Sequence, residues 1–189
     1  MLEISHVTFG YGLKRSILKD FSLSLPDSGR ICLQGASGAG KTTVLRLAMG
    51  LEKPRRGSVT LPAGVQLSAV FQEDRLLPHK TVLENAALFG EGTSAYEMLC
   101  KLGLGECLTA YPTALSGGQK RRVALARALV HPFDLLILDE VLTGLDEENR
   151  QACLAAIDEA VGDRCLLMAS HDLRDAEFLC AEIREVTEC

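Results

Sequence analysis

One nine-residue stretch limits the fold of this chain more than any other. Gly35-Ala36-Ser37-Gly38-Ala39-Gly40-Lys41-Thr42-Thr43 satisfies the pattern G-x-x-x-x-G-K-[ST]. Glycines in such a loop let successive backbone N–H groups converge on α- and β-phosphates, and the helix that follows adds its positive end. Lys41 can neutralise β- and γ-oxygens, and Thr42 can ligate Mg²⁺. The pattern counts only between a strand and a helix. Ile31-Cys32-Leu33 leads straight into it, and Lys41 to Met49 carries Val44, Leu45, Leu47 and Ala48 at helical spacing. An α/β fold built on a P-loop NTPase core follows.

The chain has 189 residues, 47% of them hydrophobic, enough for one core, and is read as a single domain spanning 1–189. Ile4, Val7 and Phe9, a turn at Gly10-Tyr11-Gly12, then Phe21, Leu23 and Leu25 predict an N-terminal β subdomain. Further strands are expected over Ser58 to Leu61 and Val65 to Phe71. From Thr81 to Leu108 the pattern is helical, and about 73–129 is read as a short helical insert. Leu135 to Leu138 and Cys165 to Ala169 are continuous apolar runs, as in strands buried on both faces. A helix is expected between them over Glu147 to Val161, and a last strand over Glu182 to Thr187.

Two more motifs share the chain with the glycine loop. The run Leu135 to Asp139 delivers Asp139 at the carboxyl end of a strand, where it can approach a bound Mg²⁺. Glu140 follows, placed to polarise a water attacking the γ-phosphate. Leu115-Ser116-Gly117-Gly118-Gln119 is the discriminating motif. Ser116 can cap the helix continuing through Ala128, and Gly117 and Gly118 let that helix start approach a phosphate closely.

With these three motifs the chain resembles the nucleotide-binding subunit of the ATP-binding cassette (ABC) family over nearly its whole length. The resemblance implies an ATPase of ABC type whose cofactors are ATP and Mg²⁺. It implies that Tyr11 stacks on adenine and that Gln72 reaches Mg²⁺ and the attacking water. Asp146, within Thr143-Gly144-Leu145-Asp146, would face a second subunit while also capping a helix. His171 would contact the γ-phosphate. Catalysis would then rest on Glu140, His171, Lys41 and Gln72, and the metal on Thr42, Gln72 and Asp139. Two copies would sandwich ATP, with Ser116, Gly117, Gly118 and Gln119 of one facing the loop of the other. Implied partners are a second nucleotide-binding subunit, identical or a sister, an integral-membrane permease and a solute-binding protein. The location would be cytoplasmic, on the inner face of the cell membrane.

Three departures from the family pattern stand out. Val141-Leu142 occupies the stretch where a proline usually follows the catalytic glutamate. The insert between Gln72 and Leu115 is short, and the chain ends soon after His171, which reads as a subunit without a regulatory domain. The runs Val70 to Pro78 and Thr81 to Asn85 are similar to importers of the nitrate, sulfonate and taurine group, with His79 where that group often has an aromatic residue. A non-transport ABC ATPase and a regulatory nucleotide-binding module remain alternatives.

Composition narrows the partners. A formal charge of -5 opposes a duplex-binding surface, which needs clustered cations, so no nucleic acid is expected. The one basic run, Lys120-Arg121-Arg122, is expected on a solvated helix face. Seven cysteines lack C-x-x-C spacing, and six of them fall in strand-like (Cys32, Cys165) or helix-like (Cys100, Cys107, Cys153, Cys180) segments, so reduced thiols in a cytosolic protein are expected. No signal peptide is legible, and no apolar run nears the ~18 residues of a membrane span.

Overall fold

Two sheets divide the strands of the computed structural model, which describes residues 1–12 and 16–187. The first is antiparallel, in the order β2-β1-β4: β1 is Leu2–Phe9, β2 Leu18–Leu25 and β4 Arg56–Thr60. Period-two burial cannot carry both Ile4 and Val7, which are three apart. The pairing with β2 shifts register between them, and His6 takes a left-handed φ of 51° there, so both side chains still face the core.

The second sheet runs β5-β6-β7-β3-β8 with every neighbouring pair parallel. Here β3 is Arg30–Gln34, β5 Leu67–Val70, β6 Leu135–Asp139, β7 Cys165–Ala169 and β8 Glu182–Glu185. Strands β6 and β7 are buried at all positions. Leu135 and Ile137 point into the core shared with α1 (Lys41–Ala48) and the antiparallel sheet. Leu136 and Leu138 point to the opposite core, shared with the helices. Each fully buried leucine contributes about 1.5–3 kcal/mol relative to exposure, so this sheet is the rigid part of the molecule. Because its strands are parallel, the residues following β3, β5, β6 and β7 all emerge at one edge, where α/β sheets put their sites.

The helical block comprises α2 (Val82–Ala86), α3 (Gly92–Lys101) and α4 (Gly117–Val130), followed later by α5 (Glu147–Val161) and α6 (Leu173–Phe178). Thr81 and Glu84 form a reciprocal capping box on α2. The buried Asn85 amide bonds Leu77 N, Leu77 O, Lys80 O and Thr81 O, fixing the segment that leads into it.

Several expectations need correction. The helical pattern over Thr81 to Leu108 is two helices punctuated by 3₁₀ turns at Ala87–Phe89 and Gly105–Cys107. Strand β4 starts at Arg56, and β5 is shorter than the apolar pattern predicts. Helix α6 went unread, because six residues hold too few periods to register. Cys107 lies in a 3₁₀ turn and Cys180 follows α6 with a φ of 49°. Arg122 is no solvated residue: it is buried and donates to Leu102 O at 2.6 Å and to Asn149, tying α4 to the ends of α3 and α5.

Candidate functional site

The glycine loop begins where β3 ends, and its shape depends on a neighbour from the far end of the chain. Gly35 has φ 145°, and a Cβ there would sit 2.2 Å from the Val186 carbonyl oxygen. Val186 N in turn donates to Gln34 O at 2.7 Å. Only glycine fits this crossing. At the other end, Gly40 N-caps α1 with φ 107°, and the buried Lys41 turns back so that Nζ donates to Gly35 O at 2.8 Å and Ala36 O at 3.2 Å. The lysine thus holds its own loop in a ring with the ammonium at its centre.

A cleft of about 340 Å³ lies over this loop, lined by Tyr11, Ile17, Ser37, Gly38, Gly40, Lys41, Thr42, Thr43, Arg46, Gln72 and Glu140. The sheet positions two of these, since Gln72 follows β5 and Glu140 follows β6; His171, which follows β7 and Ser170, lines an adjoining cavity and meets the cleft through Glu140. Glu140 adopts φ 53°, with its N–H bonded to Ala169 O at 3.0 Å, which locks β6 to β7 at the turn. Its carboxylate Oε1 lies 2.7 Å from His171 Nε2 and 3.6 Å from Lys41 Nζ. A carboxylate held by an imidazole on one side and facing an ammonium on the other is oriented for proton transfer.

Asp139 is buried, and Thr42 Oγ1 donates to its Oδ1 at 3.1 Å. Burial pushes the Asp139 carboxyl above its ordinary range, against the lowering effect of the Thr42 bond and with a further push from the Glu140 charge. A cation beside it would relieve that penalty. The donors on hand, the Thr42 hydroxyl, the Asp139 carboxylate and the Gln72 amide, are hard oxygens that suit Mg²⁺. Among the described residues no cluster of three His, Cys, Asp or Glu could hold a metal alone. An ion here would therefore complete its shell with water or substrate phosphate, as Mg²⁺ commonly does.

Tyr11 is half-exposed at the rim, packed edge-on against Phe9 with ring centroids 5.1 Å apart. Arg46 donates to its hydroxyl at 3.3 Å, and that bond is the main reason the Arg46 pKa is raised. Arg46 was missed by sequence reasoning, although it stands four residues after Thr42 and so on the same face of α1.

Ser116, Gly117, Gly118 and Gln119 do not line this cleft. They start α4, where Ser116 Oγ accepts from Gln119 N at 3.2 Å and Gln119 Oε1 accepts from Ser116 N at 2.9 Å. The Ser116 hydroxyl keeps its proton free to donate outward. The Gln119 side chain takes part in this cap, and its Nε2 donates to Cys107 Sγ at 3.5 Å. A Cβ on Gly117 would meet nothing within 4 Å, so packing inside the chain does not explain a glycine there. Asp146 caps α5, its Oδ1 accepting from Asn149 N at 2.9 Å.

Known proteins resemble this chain in sequence and fold. The family model described as ABC transporter matches residues 18–143. The chain is 41% identical to the aliphatic sulfonates import ATP-binding protein SsuB 3 of Pseudomonas syringae pv. tomato, over 93% of this chain and 68% of that protein. It is 40% identical to SsuB 3 of Pseudomonas syringae pv. syringae over 86% of this chain, and spans 64% of that relative's length. SsuB 1 of Shouchella clausii is 40% identical, with 94% of this chain and 74% of that protein covered. Among solved structures, the dimeric post-hydrolysis state of the ATP-binding cassette MJ0796 bound to ADP and Pi superposes with a TM-score of 0.87 at 26% identity, covering 99% of this chain and 94% of that one.

Proposed function

The chain belongs to the ABC transporter family, and we propose that it is the ATP-hydrolysing subunit of a membrane importer. One observation carries the reading. Glu140 stands at the carboxyl end of β6, bonded to His171, and reaches the cleft that Lys41, Thr42 and Gln72 line.

The glycine loop binds the β- and γ-phosphates through its N–H groups and Lys41, and Tyr11 takes the base. Thr42, Asp139 and Gln72 hold Mg²⁺, which when bound neutralises phosphate charge. Glu140 orients the attacking water and accepts its proton, and His171 fixes that carboxylate while its ring stays within reach of the γ-phosphate. Helix α4 supplies Ser116, Gly117 and Gly118 to the phosphate of a second copy. The open space at Gly117 and the outward Ser116 hydroxyl support a composite site of this kind. ATP then favours the closed pair because its contacts span both copies, and hydrolysis removes that preference. An integral-membrane permease rides on this motion, and a solute-binding protein delivers cargo to it. The relatives' names point to aliphatic sulfonates as that cargo. No described helix is long and apolar enough to cross a membrane, which fits a peripheral place on the permease's cytoplasmic face.

Light scattering of the Glu140→Gln variant, with and without ATP and Mg²⁺, tests the pairing. A shift from one copy to two on adding ATP is expected. A chain that stays single at saturating ATP, with no ATPase activity in the wild type, would overturn the reading.

A further inference from the structure

Beside His171 the structure buries a charged network that the proposed mechanism does not use. Arg150, on α5, is almost fully enclosed, and its guanidinium meets Asp175 Oδ1 through Nε at 2.9 Å and NH2 at 2.6 Å. Asp175, on α6, is 1% exposed. Its other oxygen, Oδ2, accepts from Ser170 Oγ at 2.5 Å. The same Ser170 oxygen accepts from Asp172 N at 3.1 Å, and Asp172 Oδ2 lies 2.9 Å from Arg150 NH2. The residues on both sides of His171 are therefore tied to one buried ion pair. Other charges facing the pair are Glu147, 3.6 Å from Arg150, and Arg174, which holds Asp172 from the solvent side.

A buried ion pair is a costly way to join two helices, since apolar residues of similar volume do as well or better. What it adds is direction: two guanidinium N–H groups converge on Oδ1 while Ser170 holds Oδ2, which fixes how the carboxylate lies. Here the direction is passed on. The His171 side chain is 47% exposed, so packing alone does not fix its ring, yet its Nε2 lies 2.7 Å from Glu140.

We propose that Arg150, Asp175 and Ser170 form a positioning clamp that sets the His171 segment on helix α5, and so holds the imidazole against Glu140. The inference rests on the reading of Glu140 and His171 as the hydrolytic pair. Its consequence is specific: loosening the clamp misplaces a catalytic group without touching the phosphate loop, so turnover falls while nucleotide binding survives.

The test compares Ser170→Ala, Asp175→Asn and Asp175→Glu in the full chain. Asp175→Asn removes the buried counter-charge of Arg150, leaving it only Asp172 and Glu147 toward the solvent side, and can unfold the protein. Ser170→Ala removes the hydroxyl that joins Asp175 to the loop and leaves the Arg150–Asp175 and Arg150–Asp172 contacts in place, so the protein stays folded and the inference stays testable. Two readouts are taken: kcat and KM for ATP, and the imidazole resonances of His171 by NMR. For Ser170→Ala, kcat is expected to fall about 10-fold with KM within about twofold, and the His171 signals to move toward those of the exposed His79. Asp175→Glu, which keeps a carboxylate, is expected to recover most of the loss seen in Asp175→Asn. Unchanged His171 signals and kcat in folded Ser170→Ala would overturn the clamp, as would kcat and KM losses that merely track lost thermal stability. A wild type without ATPase activity would instead overturn the reading of the site, and the NMR arm would then decide the clamp alone.

Discussion

Lys41 Nζ and Glu140 Oε1 lie 3.6 Å apart, and this contact joins the loop after β3 to the turn after β6. The two groups have separable duties, one for phosphate and one for water. Glu140→Gln keeps the shape of the side chain but removes its basicity. Hydrolysis is expected to fall by about 10²-fold or more, while a fluorescent ATP analogue titrates as in the wild type. A steady-state phosphate-release rate equal to wild type would remove Glu140 from the mechanism.

Lys41→Ala is expected to act on the earlier step. The ammonium ties Gly35 O and Ala36 O together from the middle of the loop, so its loss costs both phosphate charge and loop shape. Calorimetry should find ATP affinity at least about 10-fold weaker, the scale of one lost charge-assisted contact. Normal affinity would show that the loop binds something else.

How much of this was legible beforehand depends on the range of the interaction. Strand β3, the glycine loop and α1 were readable because motif and periodicity are local, and so was Ser116 as a cap. The neighbours of the site were not. Asp175, Ser170 and Arg150 meet across a gap of twenty-five residues between α5 and α6, and Val186 closes on Gly35 from the opposite end of the chain. Arg122 misled for the same reason: its sequence context is a basic run, and only the tertiary fold supplies the Leu102 carbonyl that lets it be buried. Glu140 and His171 were each assigned a place at the γ-phosphate through family resemblance, but their direct contact was not foreseen, since neither residue carries a periodic signal.

The cysteines should separate by reactivity. Burial pushes the Cys153 thiol up to about 12 and raises Cys32 as well, so neither forms the reactive thiolate at neutral pH. Cys100 and Cys180 are exposed. Brief iodoacetamide treatment of the native protein, read by peptide mass spectrometry, should modify Cys100 and Cys180 and spare Cys32 and Cys153 until denaturant is added.

Asp172 should report on the loop beside His171. Bonds from the Arg174 guanidinium and from its backbone N–H hold the carboxyl down to about 2, with Arg150 adding to the effect. An ordinary carboxylate titrates near ~3.9. A lowered folded value means that this group favours the folded state fully above the unfolded value, and that the contribution fades as pH falls through about 2. Following the Asp172 carboxyl carbon by NMR should find it still ionised at pH 3. Arg174→Ala should return its midpoint toward the ordinary range, and a midpoint unmoved by that change would discount the Arg174 pairing.

Two glycine-to-alanine substitutions should part stability from function. At Gly35 the new methyl would overlap the Val186 carbonyl, 2.2 Å away, in a backbone conformation with φ 145° that alanine avoids. Gly35→Ala is therefore expected to cost at least about 1–3 kcal/mol of folding stability and to release the Val186–Gln34 bond, visible as faster amide exchange at Val186. Gly117 opens α4 with nothing within 4 Å of the added methyl, so Gly117→Ala should change stability by no more than about 0.5 kcal/mol. If Gly117 meets the phosphate of a second copy, that methyl stands between helix and ligand. Thermal unfolding of Gly117→Ala would then match wild type, while ATP-induced pairing and hydrolysis are both lost. Gly117→Ala that pairs and hydrolyses ATP normally would mean that the α4 start faces solvent throughout the cycle, and the shared site would have to be given up.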